Sequence, residues 1–94
     1  HISAYKLSGQ NINTITMTFA STFYGAIFVL SDYGIVALYK HNSVAVEKLG
    51  TNSITMSIDS TNKIVTISFP SAYPNGVILW QRTSTYPAIT ESMV

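Results

Sequence analysis

The chain contains no cysteine, which removes both a disulfide framework and a thiolate metal site and suits a protein made in a reducing bacterial cytoplasm. Charge is scarce as well: Asp, Glu, Lys and Arg make up 10% of the residues, against about 25% in an average soluble domain. The net charge is +1, and Lys6, Lys40, Lys48, Lys63 and Arg82 are scattered along the chain. That leaves no basic stripe for nucleic acid or anionic lipid. No uninterrupted apolar run reaches the roughly 18 residues of a spanning helix, so membrane insertion is not expected. The five glycines form no phosphate-cradling loop, and no Asn-x-Ser/Thr sequon is present.

What fills the space is hydroxyl and amide. Ser, Thr and Asn together account for nearly a third of the 94 residues, while the apolar share is an ordinary 47%. This is the surface of a β-rich protein, and at this length the chain forms one domain with one thin core. It begins at His1 and is expected to be a single β-sandwich domain, 1–94, cut from the C-terminal part of something longer.

The stretch that organises the chain is Tyr24–Ser31, a break at Asp32-Tyr33, and Gly34–Lys40. Both halves are apolar at successive positions, as in strands buried on two faces. Asp32 and Gly34 supply the turn between them. Elsewhere the pattern alternates. Ile15, Met17 and Phe19 face one way with threonines between them, and Ile54, Met56 and Ile58 repeat the motif. Val65, Ile67 and Phe69 return after the turn Ser60-Thr61-Asn62. Pro74-Asn75-Gly76 suits a type I turn with a left-handed glycine, Val77–Trp80 is a second doubly apolar strand, and Pro87 restricts the tail to an edge strand. Seven to nine short strands separated by turns imply an all-β antiparallel sandwich of jelly-roll-like type.

Candidates for chemistry are few. His1 is terminal, His41 sits in a turn beside Asn42, and Asp32 and Asp59 stand where Asp caps its own backbone. With Glu47 and Glu91 these form no acid–base, nucleophile or metal spacing, so the expectation is no enzyme, no metal and no cofactor. The aromatics are more informative. Tyr33 and Tyr73 fall in turns, where an amphipathic ring among Ser, Asn and Gln suits sugar stacking; the plainer alternative is that they plug the ends of the sandwich. Trp80 and Ile78 face opposite to Val77 and Leu79, in the core or at a subunit interface.

The run Gly-Ala-Ile-Phe-Val-Leu at 25–30, the hairpin Ile-Thr-Met-Ser-Ile to Ile-Val-Thr-Ile-Ser at 54–68, and Tyr-Pro-Asn-Gly-Val-Ile-Leu at 73–79 resemble the C-terminal β-sandwich knobs of bacteriophage tail fibres and related tail receptor-binding proteins. The likeness spans about residues 14–82. It implies a homotrimer packed round a fibre axis, located on the virion tail outside the cell after assembly in the bacterial cytoplasm, and a bacterial surface glycan or protein as receptor. The family has no fixed binding motif to transfer. The physical reading and the resemblance meet at the doubly apolar strands, where a second greasy face needs cover. The interface is expected at Ile35, Tyr39, Ile78 and Trp80, and ligand contact at Tyr33 and Tyr73. A structural β-module of a virion or bacterial surface protein, with no ligand of its own, is the alternative.

Overall fold

The computed structural model describes residues 2–81 and 86–94. Among them are nine strands and no helix: β1 (Ile2–Ser8), β2 (Thr14–Thr18), β3 (Gly25–Ser31), β4 (Gly34–Lys40), β5 (Val44–Leu49), β6 (Thr55–Ile58), β7 (Ile64–Ser68), β8 (Asn75–Gln81) and β9 (Ala88–Ser92). Every pairing is antiparallel, in a five-stranded sheet of order β1-β8-β3-β4-β5 and a four-stranded sheet of order β6-β7-β2-β9. The fold is an all-β sandwich. Pro87 immediately precedes β9, which lies at a sheet edge where a missing donor costs no ladder bond.

The alternating strands form the smaller sheet because each has one apolar face to bury. Ile15, Met17, Val65 and Ile67 are fully buried, and Phe19 and Phe69 nearly so. Against them the larger sheet turns Ile27, Val29, Val36, Leu38, Ile78 and Trp80. Phe19 and Phe23 close one end of the core with ring centroids 4.8 Å apart. At roughly 1.5–3 kcal/mol per fully buried large apolar side chain, this layer is the main source of stability.

Two local expectations change. β8 starts at Asn75, so Gly76 is a strand residue and not the left-handed end of a turn; its φ is 143°. A Cβ there would lie 2.0 Å from the Leu30 carbonyl oxygen, so glycine is required by the close approach of β3. The left-handed residue of this loop is Tyr73, at φ 61°.

The sheets are unequal, five strands against four, and β5 carries only exposed or half-buried side chains. The contact between sheets on that side runs from β4 to β6. Val44 and Val46 share the core-side face with Lys40 and Leu38, yet both remain exposed.

Candidate functional site

Two surfaces stand out: the loop end near Tyr73 and the outer face of the five-stranded sheet. At the loop end, residues 9–13, 32–33, 50–54 and 69–74 meet. Asp32 Oδ1 accepts from the Asn75 amide nitrogen at 3.0 Å, and the Asp32 amide donates to the Asn75 carbonyl at 3.0 Å. This reciprocal pair ties the β3–β4 turn to the loop before β8. The Gly9 amide donates to the Pro74 carbonyl at 3.0 Å and brings the first loop alongside.

The two predicted ligand tyrosines part company here. Tyr33 is half-buried; its hydroxyl donates to the Ala72 carbonyl at 2.5 Å and its ring lies 6.3 Å from that of Phe69. Its polar tip is spent inside the loop bundle, where it braces the turn, and only part of its ring is open to solvent. Tyr73 is 57% exposed on left-handed backbone, a conformation that costs an L-residue roughly 1–2 kcal/mol. The Asn75 side-chain amide donates to the Tyr73 carbonyl at 3.3 Å, and Asp32 and Asn75 are both exposed. The result is an exposed aromatic ring on a braced loop cluster that also carries an exposed carboxylate and amide. The sequence flagged the ring; the Asp32–Asn75 pairing, between residues 43 apart in the chain, left no local signal.

The outer face is read from the ladder register. One row runs Lys6, Val77, Leu30, Ile35, Leu49, and the next runs Ala4, Leu79, Phe28, Ala37, Glu47. A third holds Ile2 beside Gln81, and Ala26, Tyr39 and Ala45. Phe28 is 46% exposed and Leu49 67%. Over β1, β8 and β3 lies a groove of about 300 Å³ lined by Ile2, Ala26, Phe28, Leu30, Leu79, Trp80 and Gln81. Ile35 and Tyr39 belong to this face, as the sequence suggested. Ile78 and Trp80 do not: both are packed between the sheets, at 0% and 1% exposure. On β8 the outer face is carried instead by Val77 and Leu79: Leu79 pairs with Phe28, which pairs with Ala37. Among the described residues in these rows, Lys6 and Glu47 are the charged ones, at opposite edges. Tyr39 donates its hydroxyl to Glu47 Oε1 at 3.3 Å, and the Glu47 charge raises the phenol pKa.

At the opposite end of the sandwich, Lys40 is buried. Its ammonium lies 4.0 Å from the Tyr24 ring centroid and donates to the His41 carbonyl at 3.5 Å. His41 itself is exposed in the β4–β5 turn, its ring 6.5 Å from that of Tyr24. Asp59 accepts from the Thr61 hydroxyl at 2.6 Å and from the Lys63 and Ile64 amides at 2.8 and 3.0 Å. Its oxygens thus close the β6–β7 turn. Among the described residues, no group of three or more His, Cys, Asp or Glu side chains could hold a metal ion.

Compared with family models, curated proteins and solved structures, the chain matches none of them.

Proposed function

We propose that the chain is a non-enzymatic receptor-binding domain of the phage tail-fibre knob type, acting as an assembly of identical copies and recognising a glycan on the bacterial cell surface. Its place is the virion tail, outside the cell. The observation that carries the proposal is Tyr73. It is a large ring held in solvent on left-handed backbone, and strain of this kind gathers where a side chain is presented to a ligand. Asp32 and Asn75 supply acceptor and donor groups for sugar hydroxyls, and the ring supplies the stacking face, worth about 0.5–1.5 kcal/mol beyond area burial. The exposed apolar outer face supports the second half of the reading: surfaces of this kind mark interaction sites, because left wet they aggregate. The resemblance to tail-fibre knobs implies three copies.

The test is binding of the chain to host-type bacterial cells and to their purified surface polysaccharide. Tyr73→Ala is expected to lower binding several-fold, and Tyr73→Phe to retain most of it. Unchanged binding by Tyr73→Ala would overturn the assignment of the loop end.

A further inference from the structure

We infer that copies of this chain close into a ring with the outer faces of their five-stranded sheets turned inward, so that β1 of one copy lies against β5 of the next and Lys6 meets Glu47 of that neighbour. The inference rests on the self-assembly reading above and specifies the contact through which assembly occurs.

Rotation about an axis parallel to the strands preserves strand direction and carries one sheet edge to the opposite edge of the following copy. This holds for two, three or more copies, and the contact is heterologous wherever three or more close. β1 and β5 are the two edges of the sheet. Among the described residues, the charges on the outer face are divided between those edges, with Lys6 on β1 and Glu47 on β5. A twofold axis perpendicular to the strands would instead stack β1 on β1 and leave each charge on the edge that carries its own kind. The Lys6 and Glu47 rows are adjacent in the register. They are therefore offset by two residues along the strand, about 6.8 Å, a gap that the flexible stems of Lys and Glu can span.

The centre of the face matches this arrangement. Phe28, Leu30 and Leu79 occupy its middle strands, where inward-turned sheets place their side chains near the axis and away from water. Five strands at about 4.8 Å spacing and seven residues at about 3.4 Å give a face of roughly 24 by 24 Å. Two copies face to face bury on the order of 1,100 Å² of such face, and a closed ring of three buries on the order of 1,700 Å² over its three contacts, against about 1,000 Å² for a specific interface. A foreign partner would have to supply both charges in mirror placement. A second copy already does.

The absence of native cysteine gives a direct test. In an Ala4→Cys/Glu47→Cys variant, whose two positions share one row of the register, the thiols sit about 19 Å apart within one copy, four strand spacings, but come level across the contact, where a disulfide needs Cβ atoms about 3.5–4.5 Å apart. Oxidation is expected to give a covalently closed ring whose mass reads its copy number, while either single-cysteine variant stays uncrosslinked. In parallel, Lys6→Glu and Glu47→Lys are each expected to weaken self-association by at least about tenfold, as like-charge juxtaposition does, and the double reversal to restore it. Both positions are at exposed sites, so circular dichroism should show each variant folded. If the parent chain associates but the paired cysteines fail to close and the reversals change nothing, the ring contact is overturned and self-assembly stands. If sedimentation shows the parent chain to be a monomer at about 100 µM, both are overturned.

Discussion

Tyr73 and Gly76, three residues apart, carry opposite kinds of backbone demand. Tyr73 adopts φ 61° although its side chain stands in solvent, so nothing in the core repays the strain. Tyr73→Asn is expected to stabilise the domain by about 1 kcal/mol, because Asn tolerates the left-handed region, while lowering glycan binding. Urea unfolding together with the cell-binding assay checks both halves of that statement. Gly76 differs because the obstacle is another strand. Ala at this position would press a methyl group against backbone atoms of Leu30 and Ser31, which cannot swing aside as a flexible side chain would. Gly76→Ala is expected to cost about 3 kcal/mol or more, in the range reserved for strain and overpacking, and to appear as a large drop in the unfolding midpoint.

At the scale of elements, two side-chain contacts make stability depend on pH at opposite ends of the range. In the β6–β7 turn, the Thr61 hydroxyl and then the backbone amides hold the Asp59 carboxyl below its ordinary pKa. A depressed folded value means that the contribution is present above the unfolded pKa of 3.8 and is lost as pH falls through the lower folded value. Asp59→Asn should flatten the acid limb of the stability curve. Between the sheets, Tyr5 on β1 donates to Glu91 on β9. Burial first, and then this hydrogen bond, push the Tyr5 pKa from 10.0 up to about 12. Here the protonated phenol is favoured in the fold, so the contribution is complete below pH 10.0 and disappears as pH rises towards about 12. Denaturant unfolding at pH 9 and pH 12 should show this loss, and Tyr5→Phe should remove it.

For the whole molecule, the two faces of the five-stranded sheet predict contrasting phenotypes. Trp80 fills the space between the sheets, and Trp80→Ala is expected to cost about 3–5 kcal/mol and to yield an unfolded or molten chain. Phe28, on the outer face and paired with Leu79, has no such burial to lose within one copy. Phe28→Ser should cost only about 1 kcal/mol of monomer stability, measured at dilution, yet weaken self-association. Sedimentation and unfolding on the same pair of variants separate core from interface.

The sequence by itself determined the strands, most of their turns and which side of each alternating strand is buried. Met17 between two threonines, or Ile67 between Thr66 and Ser68, leaves one choice of face, since turning the strand over would bury hydroxyls and expose hydrocarbon. It also determined the poverty of charge that made Lys6 and Glu47 conspicuous. Tertiary structure decided everything that depends on which strand lies beside which. On β8 both faces are apolar, so alternation carries no preference, and pairing with β3 alone sent Ile78 and Trp80 inward and Val77 and Leu79 outward. The bracing of Tyr33 by the Ala72 carbonyl, the Asp32–Asn75 link and the division of charge between β1 and β5 arise in the same way. Each joins residues that are distant in the chain, and local pattern records only what a residue's own neighbours require.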